Sequence, residues 1–481
     1  MTGPTPNLEA ETSRLRDSLR AAIGPGVLLD STDEIAPLLT DYRGLFRGRA
    51  LAVAWPRNVD EVSRLLVWCS AEGVAVVPQG GNTSYCGGAT PDASGRQLLI
   101  GLRRLNRVRH VDPDNYAITV EAGCTLAEVQ RAAAAAQRYF PLQLGSAESC
   151  QIGGNLATNA GGLNVLRYGM ARALTLGVEV VLADGRVLQH LRALQKDNTG
   201  YDLSGLFVGS EGTLGIITSA TLKLWPQLRS TSTALVAVPE VAAAVSLLAV
   251  LRETAGERIN SFELLPRAAM ELTQRHIEGI QDPLSSAHPW YVLCELSSTN
   301  IESLDGLLEQ ALTQASATGL VSDAVICANE RQRSLLWRLR ENIPEAQRRA
   351  GPSLKHDIAL PLGKLAEFVA QAASWVRASV PDATLIAYGH AGDGNLHFNL
   401  SFPREATAAS VAALEPTVRR AIHDLVASHG GSFSAEHGIG QLKTGELQRY
   451  TSAVELNLMR EIKRALDPRG IMNPGKVLTT C

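Results

Sequence analysis

Apolar and polar residues follow one another in spacings that predict both strands and helices in the first half of the chain. The pattern indicates a strand over residues 51–56, a helix over 59–71 and a buried strand over 74–78. It then predicts a helix over 126–137 and a hairpin over 176–189, which contains an Asp-Gly turn dipeptide. This order of elements is typical of a domain in which helices and sheets are mixed.

A change in the pattern near Pro226 indicates a domain boundary. Glycine-rich loops become rare after this residue, and the pattern then predicts strands over 234–238 and 291–296 and a helix over 301–318. A last helix is predicted over 446–465, and the Pro and Gly residues that follow it favour tight turns. We therefore predict two domains with a boundary near Pro226, and a C-terminal segment that returns onto the body of the protein.

The charge balance and the cysteine pattern exclude several classes of protein. The 481 residues include 45 basic and 48 acidic ones, a net charge of -3, which argues against a nucleic-acid partner. The seven cysteines lack a C-x-x-C pair and are typical of reduced thiols. The first residues show no secretory or transit signal, and Pro239 and Glu240 interrupt the apolar stretch 233–251, so no transmembrane segment is expected. We therefore expect a cytoplasmic location.

Three glycine-rich segments precede Pro226. The first, PQGGNTSYCGG at residues 78–88, is either a plain turn or a loop that directs backbone N–H groups and hydroxyls at an anion such as a phosphate. The second, residues 145–162, is either disordered or wraps around a ligand, and the flanking apolar segments favour wrapping. The third, residues 207–218, has a similar composition and leads into a β-branched strand. The first segment does not match the G-x-G-x-x-G or P-loop pattern.

Two short segments rich in histidine and glycine suggest a metal site. Strands predicted over 384–387 and 396–400 are joined by a glycine-rich turn, which folds His390 back beside His397. Together with Glu436, from the turn SAEHGIG, these residues offer the N and O ligands that a catalytic divalent metal takes. The alternative is that they are ordinary turn residues, because His-x6-His is not an established ligand spacing.

The motifs of this chain occur in one order over nearly its whole length: PQGGNTSYCGG, the 145–162 tract, GSEGTLGIIT, GHAGDGNLH, SAEHGIG and NPGK. In this combination the sequence resembles the FAD-linked 2-hydroxy acid dehydrogenases of the vanillyl-alcohol oxidase superfamily, and among them the D-2-hydroxyglutarate dehydrogenases most. The resemblance implies an α+β fold, with a vanillyl-alcohol-oxidase-type FAD-binding domain of two α/β subdomains over 1–226 and an antiparallel-sheet cap domain over 227–430. It also implies that residues 431–481 return to the FAD-binding domain.

The resemblance gives the three glycine-rich segments FAD as their ligand. The loop over 80–84 would hold the FAD pyrophosphate, and the other two segments would line the rest of the cofactor. Because no histidine stands between His110 and His190, we expect FAD to be bound without a covalent bond. The residues expected to contact FAD are Pro78, Gly80, Gly81, Asn82, Thr83, Ser84, Gly145, Ser146, Gly153, Gly154, Asn155, Thr158, Asn159, Gly161, Gly162, Glu211, Gly212, Ile217 and Asn473.

The same resemblance gives catalytic roles to the histidine-rich segments. His390, His397 and Glu436 would bind zinc or another divalent metal, and His437 would be the catalytic base. An aliphatic hydroxyl is too weak an acid to ionise at neutral pH. A Lewis-acidic metal and a neighbouring imidazole would therefore act together to remove its proton.

Three further residues would contact the substrate: Arg340, Lys355 and Asn399. Without the resemblance, Arg340 and Lys355 would be interpreted as part of a solvated face. Relatives that act on hydroxyglutarate carry a threonine four residues after the matching arginine, where this chain has Pro344. The missing hydroxyl predicts that this chain contacts a distal carboxylate differently from those relatives.

The implied reaction is the oxidation of a D-2-hydroxy acid, D-2-hydroxyglutarate first, to the 2-oxo acid with hydride transfer to flavin N5. The expected partners are this small hydroxy acid and an electron acceptor, either an electron-transfer flavoprotein or a quinone-linked chain. A homodimer is compatible with the resemblance. The alternatives are a D-lactate dehydrogenase or glycolate oxidase flavin subunit, an oxygen-using oxidase of the same fold, and a non-catalytic FAD-binding subunit.

Overall fold

The chain contains both helices and strands, and the computed structural model describes residues 6–29 and 31–479. The elements up to Pro226 are α1 Pro6–Ile23, α2 Thr32–Ile35, β1 Ala52–Ala54, α3 Val59–Glu72, β2 Val76–Gln79, β3 Leu98–Gly101, β4 Val108–Asp112, β5 Ala117–Glu121, α4 Leu126–Ala135, β6 Arg138–Tyr139, α5 Ile152–Ala157, α6 Val165–Tyr168, β7 Thr175–Val181, β8 Val187–His190, α7 Leu203–Phe207, β9 Ile216–Lys223 and β10 Trp225–Pro226. The later elements are β11 Ser230–Val238, α8 Val241–Ala255, β12 Ile259–Pro266, α9 Arg267–His276, β13 Trp290–Ser298, α10 Asp305–Ala317, β14 Asp323–Ile326, α11 Glu330–Glu341, α12 Ile343–Ala350, β15 Ser353–Ala359, α13 Leu365–Ser379, β16 Thr384–Tyr388, β17 Asn395–Ser401, α14 Ala408–Ser428, α15 Thr444–Tyr450 and α16 Ala453–Leu466. Short 3-10 helices cover Ala36–Leu39, Gly256–Arg258 and Leu362–Lys364.

Local sequence explains why α3 begins and ends where it does. The Asn58 side chain accepts a hydrogen bond from the Glu61 backbone N–H at 2.9 Å and so caps the first turn. Gly73 ends the helix with φ 68, a left-handed conformation that favours glycine. Leu65 and Leu66 are fully buried. The helix predicted over 59–71 is confirmed.

The described residues group into two units. The first unit contains the residues up to Gly162, then Gly169–Gln227, and finally the residues from Glu436 onward. The second unit contains Leu163–Tyr168 and Leu228–Ala435. Each unit has its own sheets and its own apolar core.

Two main sheets form the framework of the first unit. Strands β1, β3 and β2 form a parallel sheet in that order, and its core includes Leu19, Leu65 and Leu98. Strands β4, β5, β9, β7 and β8 form an antiparallel sheet, and β6 pairs with β10. The glycine-rich loop over 78–88 begins at the end of β2, and the third glycine-rich segment leads into β9. Both segments therefore leave or enter a strand of this unit directly.

The second unit is built on two antiparallel sheets. One has the strand order β12, β13, β11, β14, and the other has the order β15, β17, β16. Leu264 of β12 and Gly389, which follows β16, exchange two backbone hydrogen bonds of 2.8 and 3.0 Å. Helices α8, α10 and α13 contribute Leu247, Leu308 and Phe368 to its core. The mixed α+β class and the antiparallel sheets agree with the prediction.

The sequence prediction fails at two elements. The helix predicted over 446–465 is divided into α15 and α16, because Ser452 and Glu455 form a capping box that begins a new helix. The glycine-rich tract 145–162 contains helix α5, which its composition did not predict. Within the described ranges, no helix combines the length and the apolar character needed to cross a membrane.

Candidate functional site

The glycine-rich segments of the first unit meet where a side chain would not fit. A Cβ added to Gly80 would lie 3.4 Å from the Gly154 Cα, and one added to Gly81 would lie 2.0 Å from the Ser149 carbonyl oxygen. Side chains do not approach backbone atoms as closely as 2.0 Å, so Gly81 must be glycine. The loop after β2 is therefore in direct contact with the tract that contains α5.

Glu211 connects the third glycine-rich segment to the turn SAEHGIG. Its backbone has φ 52, and its carboxylate accepts hydrogen bonds from the backbone N–H groups of Ile439 at 2.7 Å and Gly440 at 2.8 Å. Burial raises the pKa of Glu211, although these hydrogen bonds favour its ionised form. The Glu211 side chain therefore holds the turn in place, a role that the predicted FAD contact did not include.

The turn SAEHGIG carries two predicted catalytic residues and contacts the predicted flavin segments. The backbone N–H of Gly162 donates a hydrogen bond to Oε1 of Glu436 at 2.7 Å. The ring of Tyr85, in the first glycine-rich loop, lies 4.6 Å from the His437 ring, measured between centroids. Within the first unit, Glu436 and His437 are therefore positioned by residues of two glycine-rich segments.

Two buried amide side chains of the first unit have an acceptor oxygen that no described residue satisfies. Asn473 donates to the carbonyl oxygens of Gly88 at 2.9 Å and Glu211 at 2.8 Å, but its Oδ1 has no partner. Oε1 of Gln151, directly before α5, is also buried and has no hydrogen-bond partner among the described residues. Buried acceptors are normally satisfied, and the hydrogen-bond donors of a flavin nucleotide would satisfy these two. The residues of this unit therefore fit FAD.

The other predicted FAD contacts lie in the same segments and on the adjoining elements. Asn82 donates a hydrogen bond to the Thr40 carbonyl oxygen at 2.8 Å, and Oδ1 of Asn159 accepts one from the Arg172 backbone N–H at 2.9 Å. Both asparagines have positive φ, as expected in tight loops. The remaining predicted contacts are on β2, β9, α5 or the loops beside them: Pro78, Thr83, Ser84, Gly145, Ser146, Gly153, Asn155, Thr158, Gly161, Gly212 and Ile217. Their contact with FAD stays a prediction.

One face of the sheet formed by β15, β17 and β16 carries polar residues of the second unit. Lys355 pairs with Asn399, and Asp357 pairs with His397, in the antiparallel register of β15 and β17. Side chains of paired residues, and of residues two apart on a strand, point to the same face, so these four side chains share one face. The other face is buried and mostly apolar, with His356 among Leu354, Ile358, Leu396, Phe398 and Leu400.

The hairpin of β16 and β17 brings the two predicted histidine ligands close together. The ring centroids of His390 and His397 are 5.5 Å apart, and their planes are inclined by 76°. The turn requires glycine at Gly394, where φ is 85 and an added Cβ would lie 2.1 Å from the Leu360 carbonyl oxygen. The predicted hairpin and the predicted proximity of the two histidines are confirmed.

Each of these histidines has a carboxylate beside its Nδ1 atom. Oε1 of Glu263 lies 2.6 Å from Nδ1 of His390, and Oδ1 of Asp357 lies 3.7 Å from Nδ1 of His397. The shorter contact is a hydrogen bond, and a carboxylate bonded to Nδ1 favours the His390 tautomer with a lone pair on Nε2, an arrangement common among histidines that bind metals. Both carboxylates are buried. The donor groups of this unit therefore fit a divalent metal such as zinc.

Arg340 is buried and paired with the same glutamate. Its Nε atom donates a hydrogen bond to Oε2 of Glu263 at 2.6 Å, and its guanidinium carbon lies 4.8 Å from the centre of the Tyr388 ring. Burial disfavours the Glu263 carboxylate, but Arg340 and His390 outweigh it and lower the pKa of Glu263 to about 2. Arg340 is therefore not part of a solvated face.

The other two predicted substrate residues differ from each other in exposure. Asn399 is buried, and its Nδ2 donates to Oε1 of Gln347 at 3.0 Å. Gln347 in turn donates to the Ser401 hydroxyl at 2.9 Å, so the orientation of Asn399 is fixed. Lys355, on the same sheet face, is exposed. The sequence prediction brought Arg340, Lys355 and Asn399 into one unit but did not identify their neighbours.

Sequence reasoning missed Glu263, Gln347, Tyr85 and the role of Asp357. A signal existed for Glu263, because it interrupts the apolar strand INSFELLP, and a charged residue in a buried strand requires a partner. Asp357 gives no such signal, because Lys355 and His356 directly precede it in β15. For Gln347 and Tyr85, neither composition nor spacing distinguishes them from ordinary surface residues.

Two family models match the chain. The FAD binding domain matches residues 50–190, and the C-terminal domain of FAD linked oxidases matches residues 227–477, more than half of the chain. The mitochondrial D-2-hydroxyglutarate dehydrogenase of Arabidopsis thaliana is 37% identical over 457 residues, which cover 95% of this chain and 80% of that protein. The Bos taurus protein of the same name is 38% identical over 460 residues, which cover 95% of this chain and 82% of that protein.

The fold agrees with that of a solved flavoenzyme. The crystal structure of p-cresol methylhydroxylase with substrate bound matches with a TM-score of 0.76 and 16% identity, and the match covers 99% of this chain and 98% of that one. At this identity the similarity shows the fold alone. It confirms the predicted vanillyl-alcohol-oxidase-type architecture.

The predicted cytoplasmic location is wrong by this comparison, because the names of the Arabidopsis thaliana and Bos taurus relatives are those of mitochondrial proteins. The prediction relied on the first residues and on unpaired cysteines. Reduced thiols require only a reducing environment, which does not identify one compartment. The motifs, the fold and the family models agree on the family of this chain. The chain belongs to the FAD-linked 2-hydroxy acid dehydrogenases of the vanillyl-alcohol oxidase superfamily, the family of the D-2-hydroxyglutarate dehydrogenases, and is an FAD-dependent oxidoreductase that acts on a hydroxy acid.

Proposed function

We propose that the protein oxidises a D-2-hydroxy acid, D-2-hydroxyglutarate first, to the corresponding 2-oxo acid. The observation that carries this proposal is the polar sheet face of the second unit, on which Lys355, Asp357, His397 and Asn399 lie together. A cation and an amide on this face suit a carboxylate substrate, and imidazole beside carboxylate suits a metal. The names of the relatives support the choice of D-2-hydroxyglutarate.

FAD is proposed to be held non-covalently by the three glycine-rich segments of the first unit. The close contact of Gly81 with Ser149 and the unsatisfied oxygens of Asn473 and Gln151 support this placement. No histidine lies in these segments, so none of them offers an imidazole for a covalent tether. When bound, FAD would supply the hydride acceptor, flavin N5.

The metal proposal assigns zinc, or another divalent cation, to His390, His397 and Glu436. Such an ion would supply Lewis acidity toward the substrate hydroxyl and its adjacent carboxylate. The Glu263 carboxylate supports the assignment, since its hydrogen bond with Nδ1 of His390 orients this ring and leaves the lone pair on Nε2. Asp357 places a second carboxylate 3.7 Å from Nδ1 of His397. Glu436 enters on sequence grounds, as the carboxylate of the motif SAEHGIG.

His437 is proposed to be the base that takes the hydroxyl proton. A neutral imidazole accepts a proton at neutral pH, and histidine is the side chain most often used as a general base. The ring contact with Tyr85 and the carboxylate of Glu211, which holds the same turn, restrict the movement of His437. Arg340, Lys355 and Asn399 are proposed to bind and orient the substrate.

A second candidate, oxidation of a monocarboxylic acid such as D-lactate, is favoured by one residue. Pro344 stands in the first turn of α12, four residues after Arg340, and offers no hydroxyl to a distal carboxylate.

The remaining proposals concern partners. Electrons would leave reduced FAD for an electron-transfer flavoprotein or a quinone-linked chain, with oxygen as the alternative acceptor, and the enzyme would act as a homodimer.

Turnover of the purified protein with D- and L-2-hydroxy acids and an artificial dye acceptor tests this function. We expect D-2-hydroxyglutarate to give the highest kcat/KM, acid precipitation to release the FAD, and little hydrogen peroxide to form. His390→Ala and His397→Ala should each lose bound metal and nearly all turnover while the flavin spectrum is retained. His276→Ala, a histidine at the end of α9, is the matched control and should keep both.

Three results would contradict parts of the proposal. A higher kcat/KM for a monoacid would replace the diacid with that substrate. Full turnover in a demonstrably metal-free preparation would remove the metal, and peroxide in stoichiometric yield would make the protein an oxidase.

A further inference from the structure

The backbone of the second unit fixes Glu263 next to His390. Leu264 and Gly389 donate backbone hydrogen bonds to each other, at 2.8 and 3.0 Å, and Gly392 donates one to the Phe262 carbonyl oxygen at 3.1 Å. These bonds bracket Glu263 on β12 and His390 in the turn after β16. The contact between the two side chains is therefore set by paired backbone segments and not by the rotation of flexible side chains.

Each oxygen of the Glu263 carboxylate has a different partner. Oε1 lies 2.6 Å from Nδ1 of His390, and Oε2 accepts from Nε of Arg340 at 2.6 Å. Glu263 is 1% exposed, so water does not compete for these oxygens. We propose that Glu263 is a positioning residue that orients the metal-binding histidine His390 and the substrate-binding arginine Arg340 at the same time. This inference rests on the proposed function.

The consequence for His390 is a fixed tautomer. A carboxylate accepts but does not donate when ionised, so Nδ1 of His390 must carry the proton in this contact. Nε2 then carries the lone pair that a metal needs. Removal of such a partner from a metal-bound histidine typically lowers metal affinity about tenfold to hundredfold.

The consequence for Arg340 is a fixed guanidinium plane. The Nε–H bond to Glu263 and the contact with the Tyr388 ring hold the planar group on two sides. A planar cation held in this way presents its other N–H groups in one direction, which suits recognition of a carboxylate. A change at Glu263 should therefore affect both metal binding and the KM of the hydroxy acid.

Glu295 provides a matched control for a purely structural role. It lies on β13 beside β12 and is 5% exposed, and it accepts from Arg333 at 2.8 Å and from Trp337 Nε1 at 2.8 Å. Arg333 lies on α11, the same helix as Arg340. Both glutamates are thus buried partners of arginines on one helix, but the described contacts of Glu295 include no histidine.

The test compares Glu263→Gln with Glu295→Gln in the full-length holoenzyme. An amide has one acceptor oxygen and one donor nitrogen, so it cannot accept from both His390 and Arg340. For Glu263→Gln we expect zinc affinity, measured against a chromogenic chelator, to fall about tenfold or more, and KM to rise more than kcat falls. Glu295→Gln should leave both unchanged. If both variants lower stability alike and neither changes zinc affinity or KM, the proposal is wrong.

A measurement on the wild-type protein keeps the test valid if Glu263→Gln does not fold. In protein labelled with 15N-histidine, and stripped of metal with a chelator, His390 should show the tautomer protonated at Nδ1. The signal is assigned with His390→Asn. A tautomer protonated at Nε2 would overturn the proposal.

The two proposals fail in different ways. If wild-type protein binds no metal through His390, the proposed metal site is wrong, and the tautomer of His390 and the KM of Glu263→Gln then decide whether Glu263 positions these groups. If wild-type protein binds metal normally but Glu263→Gln binds it equally well, the metal site stands and the role of Glu263 is wrong.

Discussion

Arg340 and Lys355 are both proposed to meet substrate carboxylates, but they lie in different environments. Arg340 is buried and paired with Glu263, whereas Lys355 is an exposed residue of β15 opposite Asn399. The charge of Arg340 is already compensated inside the protein. An exposed lysine on the same sheet face as Asn399 is better suited to a second carboxylate. The negative charge of that carboxylate would balance the positive charge of the ammonium group. We therefore propose that Lys355 meets the distal carboxylate.

Substitution of Lys355 by methionine should affect diacids selectively. A hydrogen bond to a charged group contributes about 1.5 to 3 kcal/mol, so its loss should lower kcat/KM for D-2-hydroxyglutarate about tenfold to hundredfold. The value for D-lactate should change far less. Steady-state kinetics with both acids measures the difference, and Lys364→Met, an exposed lysine of the same unit, is the control. Equal losses for both acids would place Lys355 elsewhere in the mechanism.

Single residues were predictable from the sequence when their chemistry depends on neighbours in the chain. His390 and His397 are close because a glycine-containing turn joins β16 to β17, and this turn is visible in the sequence. The contact of His390 with Glu263 joins residues 127 positions apart, and that of Asn399 with Gln347 joins residues 52 apart. Spacing alone does not predict contacts over such separations.

At the scale of elements, polar capping determines where the helical region near the C-terminus divides into α15 and α16. Apolar spacing runs through residues 446–465, but Thr451 has an extended backbone at φ -102 and ψ 138, and Ser452 begins a new helix. The Ser452 side chain accepts from the Glu455 N–H at 3.3 Å, and Glu455 accepts from the Ser452 N–H at 3.1 Å. The S-x-x-E signature was present in the sequence, so the division was predictable.

Substitution of Ser452 by alanine should weaken the first turn of α16. Loss of an N-cap hydroxyl costs about 1 kcal/mol, which corresponds to roughly fivefold faster hydrogen exchange in that turn. Exchange measured by mass spectrometry resolves the effect from the rest of the chain. Thr451→Ala removes a neighbouring hydroxyl outside the capping box and serves as the control. Unchanged exchange after Ser452→Ala would show that packing alone holds the start of α16.

Helix α5 shows why an element can be missed. Two of its six residues are glycines, which disfavour helix by about 1 kcal/mol each. Tertiary structure accounts for them, since a Cβ on Gly153 would lie 2.7 Å from the Ala122 Cβ and Gly154 lies beside Gly80. The requirement for close contact therefore overrides helix propensity, and this requirement is not visible in a local window.

At the scale of the whole molecule, the order of motifs was more informative than local patterns. Motifs spread over nearly the whole chain identified the family, and two family models bear this out. The passage of the chain between units was not visible in the sequence. Leu163–Tyr168 belongs to the second unit although first-unit residues flank it, and it is held there by bonds such as Arg167 to Ser297 at 2.8 Å. Six residues are too few to show a domain change by composition.

The C-terminal residues of the first unit contain a buried lysine that links stability to pH. Lys476, in the motif NPGK, is 3% exposed. Burial lowers the pKa of its ammonium group from 10.5 to about 8, and the charge of Asp92 opposes this only in part. A lysine whose pKa is depressed by folding destabilises the folded state at every pH at which it is protonated there.

The sign of the effect follows from where the proton sits. Between pH 8 and 10.5 the unfolded chain retains the Lys476 proton and the folded chain has lost it, so stability rises with pH across this window and Lys476 makes it independent of pH below 8. Lys476→Met should therefore be more stable than wild type at neutral pH, by at most about 3 kcal/mol, and this advantage should shrink toward pH 10.5. Thermal unfolding, monitored through the fluorescence of the released flavin, gives the difference in unfolding midpoint at each pH. Lys196→Met, an exposed lysine of the same unit, should show no such trend. A difference between Lys476→Met and wild type that stays constant or grows with pH would mean that Lys476 is charged in the folded protein throughout.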